Sequence, residues 1–449
     1  MPSCSTTDSV RALVRRFGWN ATAFQVLEPG YQYLFVGADA CVAYVDTGTA
    51  WVAAGAPLAD EGRFAEVTAA FVAAARQARR RACLFATEER FVSRVALRRL
   101  AIGEQPIWDP ALWPETLKRN RRLREQLRRA RAKEVQVRAI PAAELLAPSS
   151  ATHAEIAALV SQWLRARELA PMGFLVQAEP LTFLPEQRVF VAAHQGTLVG
   201  LLAMSPIYAR GGWLLQRLVR AEGAPNGTVE ALIDQAMRAA ASDGARLVTL
   251  GLAPLAGRVA APLRFARRAG RALFDFEGLR SFKAKLRPTH WDRVYLSFPP
   301  GQSAARSVAD VLTAFARGGL LRFGLRTLLR GPAILVYLLA VLLIPWTALL
   351  ACADTEIWFP HPAVKWFWVA FDIGLAAALY VLQRRWYDRL ALIVAIAIGA
   401  DAVSTMVEAW VWNLPRAATL GARLVLIVAT AAPAIAFGVL WRARLRRRE

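Results

Sequence analysis

Phe276-Glu-Gly-Leu-Arg-Ser-Phe-Lys-Ala-Lys285, with its lead-in Gly251-Leu-Ala-Pro-Leu-Ala-Gly257, is the stretch from which the rest of the chain is read. Arg246–Leu250 is a short apolar run that reads as a strand feeding a Gly/Pro turn, and a helix start follows with one carboxylate and three cations. Strand, turn and helix in that order predict an α/β sheet whose turn, shaped by Gly251, Pro254 and Gly257, brings backbone N–H groups close to an anion. Arg280, Lys283 and Lys285 would hold a phosphate or a developing oxyanion there. Glu277 or Asp275 would orient an amine or take a proton. The competing reading is a solvated helix face with ordinary ion pairs.

Working outward, residues 140–300 read as one α/β unit. Ala154–Glu168 has helical period. Arg188–Ala193 and Thr197–Met204 are apolar runs split by His194-Gln195-Gly196, a hairpin signature. Gly212–Val219 is a further strand. Ala224-Pro-Asn-Gly-Thr228 is a turn that opens the helix Val229–Ala241, where Asn226, Gly227 and Glu230 mark an amino end able to meet an anion. Residues 1–139 form a second α/β unit. Tyr31–Val36, Cys41–Val45, Ala50–Ala54 and Ala82–Ala86 are expected strands, Glu61–Arg80 and Glu88–Leu100 expected helices, and Pro106, Pro110 and Pro114 break the pattern. Two halves of similar size suggest an internal duplication.

The most basic segment is the helix Lys118–Lys133. Leu123, Leu127 and Ala130 make a narrow apolar stripe, and Arg121, Arg122, Arg124, Arg128 and Arg129 stand among the cations covering the rest. The competing reading is a solvated surface helix; so uniform a sign, beyond ordinary ion pairing, points to a polyanion.

At 449 residues the chain is long enough for two or three domains, is 56% hydrophobic with a mean hydropathy of +0.31, and carries a formal charge of +22. A basic soluble head joined to a membrane region reconciles these totals, with nucleic acid or anionic lipid as partner. Cys4, Cys41, Cys83 and Cys352 have no paired spacing, and the four histidines are scattered, so neither a disulfide framework nor a metal site is expected. No secretory signal is read at Met1–Asp8.

Residues 301–330 read as a linker and then a juxtamembrane helix, with Leu320, Leu321, Phe323, Leu325 and Leu328 beside Arg317, Arg322, Arg326 and Arg330. Pro332–Cys352, Trp366–Gln383, Leu390–Trp412 and Ala422–Leu440 are each long and apolar enough to span a bilayer, which predicts four transmembrane helices over 331–449. The arginines before the first span, between the second and third, and after the fourth place the α/β head and the carboxyl terminus in the cytoplasm. Asp372, Asp401 and Glu408 lie within spans and read as a polar seam between helices.

These segments together resemble the C-terminal catalytic domain of bacterial phosphatidylglycerol lysyltransferases, the multiple peptide resistance factors, over residues 20 to 300. The resemblance rests on the basic helix Lys118–Lys133, on Trp163-Leu164 with Met172-Gly173-Phe174, and on Ala224-Pro-Asn-Gly227 with Glu230. It rests also on Gly251–Gly257 and on Phe276–Lys285 followed by Pro288, Trp291 and Tyr295. It implies tandem acetyltransferase-like (GNAT) folds, over 1–139 and 140–300, that move an aminoacyl group from aminoacyl-tRNA to the hydroxyl of an anionic phospholipid. The location implied is the cytoplasmic face of the bacterial inner membrane, with no cofactor, no metal and no covalent enzyme intermediate. On this reading the basic helix binds tRNA, Arg280, Lys283 and Lys285 meet the lipid phosphate, and Glu277 or Asp275 handles the amine or the proton. The family carries its spans ahead of the catalytic domain; here they follow it. Its members also often carry a carboxylate where this chain has Gln216. The rival readings are an acyl-CoA-dependent N- or O-acyltransferase of the same fold, and a non-catalytic membrane-tethered module that binds lipid or RNA.

Overall fold

The computed structural model describes residues 4–147, 149–167, 172–176, 181–257, 276–316, 319–320, 322–324, 332–353, 358–359, 361–384, 386–417 and 419–446. The chain divides into two compact units, Met1–Ala166 with Pro171–Phe323, and Gly324–Glu449 with Arg167–Ala170.

In the first unit the strands are β1 (Gln32–Phe35), β2 (Cys41–Asp46), β3 (Ala50–Ala54), β4 (Arg81–Thr87), β5 (Arg98–Trp108) and β6 (Gln136–Ile140), then β7 (Arg188–His194), β8 (Thr197–Ile207), β9 (Gly212–Arg220), β10 (Leu247–Thr249), β11 (Ala253–Pro254) and β12 (His290–Phe298). They form one 12-stranded sheet in the order β1-β2-β3-β4-β12-β5-β10-β9-β8-β7-β6, with β11 added against β5. The helices are α1 (Cys4–Phe17), α2 (Phe64–Gln77), α3 (Glu89–Val92), α4 (Trp113–Arg119), α5 (Arg121–Ala132), α6 (Ala142–Leu146), α7 (Ala151–Arg165), α8 (Thr228–Ser242), α9 (Phe276–Lys285) and α10 (Ala304–Phe315).

A duplication is visible in the pairing. β1, β2 and β3 are antiparallel, and α2 then carries the chain over so that β4 runs parallel to β3. β7, β8 and β9 repeat the pattern, and α8 carries the chain to β10, parallel to β9. The hairpin between β7 and β8 closes on Gln195 and Gly196, both at positive φ (50° and 76°), the primed turn that matches strand twist.

Each half is completed by the other. β5, from the first half, pairs with β10 of the second; β12, from the second, pairs with β4 of the first; and β5 and β12 pair with each other at the centre. The expected division at 139/140 falls inside β6, which pairs with β7.

β5 departs most from the sequence reading. The helix expected over Glu88–Leu100 is the single turn α3, and Arg98–Trp108 is a central strand. Pro106 is expected to break the pattern, and a glycine such as Gly103 is likewise ill suited to a central strand. Gly103 fits because the register with β12 shifts at Val294/Tyr295 and the Ala253 carbonyl of β11 fills the space a Cβ would need. Pro106, opposite Trp291, falls between the residues paired with β10 (Ile107, Trp108) and those paired with β11 (Gly103, Glu104).

Layers on both faces bury the sheet. Phe64, Val67, Phe71 and Ala75 of α2 cover one face of the first half. Val10, Leu13 and Val14 of α1, with Phe24 and Phe174, cover the other. In the second half α5 and α8 lie on one face and α7 on the other. Full burial of each such aromatic or aliphatic side chain contributes about 1.5–3 kcal/mol. α10, in the stretch expected to be a linker, belongs to this core: Val311 and Ala314 are buried, and Asp310 accepts from Arg81 Nη2 at 2.6 Å and Nε at 2.8 Å.

In the second unit α11 (Pro332–Cys352), α12 (Pro362–Arg384), α13 (Asp388–Glu408) and α14 (Leu420–Arg446) are helical. Three stretches among the described residues, Pro362–Leu382, Asp388–Arg416 and Arg423–Arg442, are long and apolar enough to cross a membrane; Leu339–Cys352 is a shorter apolar helix. The juxtamembrane helix expected in the later part of 301–330 lies largely outside the described residues. Thr347 Oγ1 reaches Asp372 Oδ2 at 3.5 Å, Thr405 Oγ1 donates to Asp401 Oδ1 at 2.9 Å, and Trp368 Nε1 donates to Glu408 Oε1 at 3.3 Å, so these acids have polar partners on their own or neighbouring helices.

Candidate functional site

The turn after β10 and the helix α9 meet as the sequence suggests, but through a different set of contacts. Lys283 is 4% exposed, and its ammonium donates to three successive carbonyls, Leu250 at 2.8 Å and Gly251 and Leu252 at 2.9 Å. All three of its protons are therefore committed to the turn. Burial pushes this ammonium down to about 7, while the carbonyls favour the charged form. Lys283 thus fixes the Gly251 turn rather than presenting a cation to a ligand.

Arg280, one turn earlier on α9, stands differently. It is 43% exposed, lies 5.0 Å over the Trp291 ring of β12, and its Nη2 is 3.5 Å from Glu104 Oε2 of β5. Its buried Nε has no hydrogen-bond partner among the described residues. Glu104 in turn packs against Gly257, where φ is +70° and a Cβ would overlap the carboxylate. Gly257 is therefore glycine for two reasons, and Gly251 (φ +66°) for one. Pro254 pairs with Gly103 in the β11–β5 ladder. Arg280, Glu104, Trp291 and the 251–257 turn thus form one constellation at the sheet centre.

Glu277 stands exposed in the first turn of α9, where a carboxylate suits the helix dipole. Lys285 is exposed with its side chain unpartnered among the described residues; its carbonyl accepts from Asn120 Nδ2 at 2.7 Å. Asp275 lies outside the described residues.

The basic segment is two helices hinged at Asn120. Its side chain caps α5 by accepting from Leu123 N (3.2 Å) and also ties α5 to the end of α9. Leu123, Leu127 and Ala130 face the core as the pattern requires. Its cations divide into two groups. Arg128 and Arg129 share Glu125 at 3.0 Å each, holding that carboxyl down at about 2, and Arg124 donates to the carbonyls of Leu117 (2.8 Å) and Lys118. Arg119, Arg121, Arg122, Arg131 and Lys133 are exposed, with no partner among the described residues.

The amino end of α8 is not an open anion site. Gly227 has φ +94°, and a Cβ there would overlap the Gln126 carbonyl of α5 and stand 3.1 Å from Ala130 Cβ. Gly227 and Thr228 are buried, and Thr228 Oγ1 donates back to Pro225 at 2.7 Å. Asn226 is exposed and Glu230 lies in the first turn of α8. The basic helix thus lies across the position where a helix amino end would otherwise cradle a phosphate.

Two buried polar clusters were not foreseen. Glu28 pairs with Arg217 Nη2 at 2.8 Å, joining the loop before β1 to the bulge of β9, where Arg217 has φ +50°. Burial raises the Glu28 pKa, opposed by Arg217. Beside it, Gln216 and Gln187 both donate to Ser205 Oγ, at 2.7 and 2.9 Å. Elsewhere Glu88 accepts from Gln105 (3.1 Å) and Arg210 (3.2 Å), and Arg210 also reaches Asp292 at 3.2 Å; burial raises the Glu88 pKa. Glu104 and Glu88 sit on or beside the missed strand β5, which hid them.

A family model described as phosphatidylglycerol lysyltransferase, C-terminal, matches residues 11–298. The C-terminal domain (DUF2156) of a putative lysylphosphatidylglycerol synthetase from Agrobacterium fabrum has a similar structure, with a TM-score of 0.61 at 23% identity over 70% of this chain and 99% of that one. L-PGS from Bacillus licheniformis is similar at a TM-score of 0.57 and 20% identity, over 69% of this chain and 96% of that one. At these identities the likeness is one of fold. No curated protein matches the chain.

Proposed function

The chain belongs to the phosphatidylglycerol lysyltransferase C-terminal family, and from that premise we propose that it moves an aminoacyl group from aminoacyl-tRNA to a hydroxyl of an anionic phospholipid. The observation that carries the choice of donor is the seating of α5 on Gly227. A pyrophosphate-bearing acyl-CoA would need the amino end of α8, which the Gln126 carbonyl covers. The outer face of the same helix offers unpaired cations, Arg121 and Arg122 among them, to a polyanion that releases counterions on binding.

The lipid phosphate meets Arg280, the exposed cation of the central constellation, with Lys285 beside it on α9. The lipid hydroxyl attacks the aminoacyl ester carbon. A carbon–oxygen bond to the lipid forms, the bond to the tRNA ribose oxygen breaks, and the proton passes from the lipid hydroxyl to that leaving oxygen. Glu104 is the carboxylate the described residues set against Arg280, and we assign it to orient the aminoacyl ammonium or relay the proton. Glu277, exposed one turn ahead of Arg280, is the second candidate. Lys283 is a positioning residue that holds the turn. We place the protein in the bacterial inner membrane through four spans, α11 supplying the fourth, with head and carboxyl terminus in the cytoplasm, as the arginine distribution favours.

Mass spectrometry of lipid extracts from cells with and without the gene tests this reading. An aminoacylated anionic lipid present only with the gene supports it; identical lipidomes contradict it.

A further inference from the structure

We propose that a cavity in the first half of the head takes one acyl chain of the acceptor lipid. The proposal rests on the acceptor-lipid reading above and adds where the chain goes. The cavity has a volume of about 610 Å³ and is lined by Tyr31, Val45, Phe174, Thr313 and Ala314 among others. That is within the range of sites for small organic ligands. Among the described residues its lining holds no lysine or arginine, in a chain of net charge +22. Its acid, Asp46, is already engaged by Arg80 Nε at 3.1 Å and Gly48 N at 2.7 Å. Besides Thr47 and Thr313, the rest of the described lining is small, aliphatic or aromatic, which suits methylene groups.

Two further observations point to a lipid. Tyr31 is 7% exposed, and its buried hydroxyl has no partner among the described residues. A fully buried hydroxyl ordinarily has one, so the wall of the cavity at Tyr31 holds an unmet donor. Leu252 and Leu255 of the turn held by Lys283 also pack on the same apolar cluster as Tyr31, Val45 and Phe174, so one packed cluster joins the cavity wall to the candidate site. A lipid with its phosphate at Arg280 can lay a chain along that face. Gly319, which closes the lining, precedes in sequence the segment leading to the apolar helices.

The test is photolabelling of the full chain in vesicles of phosphatidylglycerol carrying a mid-chain diazirine, followed by peptide mapping. Label is expected on the peptides holding Tyr31–Thr47, Phe174 and Thr313–Ala314. Thr313→Trp and Thr47→Trp, which fill the cavity from its rim, should each reduce that label about fivefold or more. Glycerophosphoglycerol, the headgroup without chains, should not compete it away. Label confined to the apolar helices, label unchanged in both folded variants, or competition by the bare headgroup overturns the proposal. Aminoacyl-lipid formation, measured on the same samples, separates the two readings. Cavity label without product would sink the transferase reading alone; product without cavity label would sink the chain site alone.

Discussion

The backbone carbonyl of Gln126 fills the space that a side chain at residue 227 would need, so Gly227 is what lets the basic helix α5 lie on the amino end of α8. One contact thereby closes the usual phosphate cradle of that helix and fixes a row of arginines above it.

Gly227→Ala should therefore damage the head from within. The added Cβ meets Gln126, and the residue must hold φ +94°. Strain and overlap together would cost about 2–4 kcal/mol. Thermal unfolding of the purified full chain should show a lowered midpoint; an unchanged one would refute the contact.

The split among the α5 cations has a measurable consequence. Replacing Arg121 and Arg122, which are unpartnered among the described residues, by glutamine should weaken tRNA binding and lower the slope of log K against log salt by about 0.7–0.9 per cation. Replacing Arg128 and Arg129 should change the slope less, because Glu125 already engages both and they neutralise fewer phosphates. Filter binding across a salt series distinguishes the pairs, and equal slopes would mean that the Glu125 pairing has no effect in solution.

Lys283 makes stability depend on pH. In the folded chain its ammonium is pushed down to about 7, against about 10.4 unfolded. Below about pH 7 both states hold the proton and the burial cost is fully present. Between about 7 and 10 the unfolded state binds more protons, so stability rises with pH. The three carbonyl bonds raise the folded value and shorten this window from its lower end. Lys283→Met removes the titration, so wild type should gain on the variant as pH is raised from 7 to 10. A pH-independent difference in unfolding midpoint would show that Lys283 does not titrate in this window. Transfer activity should fall in Lys283→Met through loss of the turn and recover in part in Lys283→Arg, which a direct contact to phosphate would not require.

Legibility in the sequence followed local pattern. The strands flanking the hairpin at Gln195-Gly196, and helix α8 after its turn, were readable because period and turn chemistry agree there. β5 was not. Its Gly103 and Pro106 are breakers locally, and only partners nearly 200 residues away, on β12, make them tolerable. With β5 went Glu104, which faces Arg280 in the candidate site. Arg280 is expected as a site cation from its spacing on α9, and the structure leaves it part-exposed beside Glu104. Lys283 was legible as important, but the sequence could not show that its charge points into the Leu250–Leu252 carbonyls. Gly227 was read as part of an anion cradle because the helix lying over it is distant in sequence.

The exchange of β5 and β12 implies that the halves do not fold apart. A fragment ending at residue 139 leaves β4 and β5 without β12 between them and β5 without β10 on its other side, exposing three strand edges. It should aggregate or unfold without cooperativity, whereas co-expression with the rest of the chain should recover a complex. A soluble fragment 1–139 with a sharp thermal transition would contradict this topology.

The most direct test of the central claim is reconstitution of the purified full chain in phosphatidylglycerol vesicles with charged tRNA, followed by mass spectrometry of the lipids. The expected result is an aminoacylated lipid that disappears when the tRNA is digested beforehand and in Arg280→Ala. No aminoacyl lipid with any charged tRNA, together with transfer supported by acyl-CoA, would contradict it.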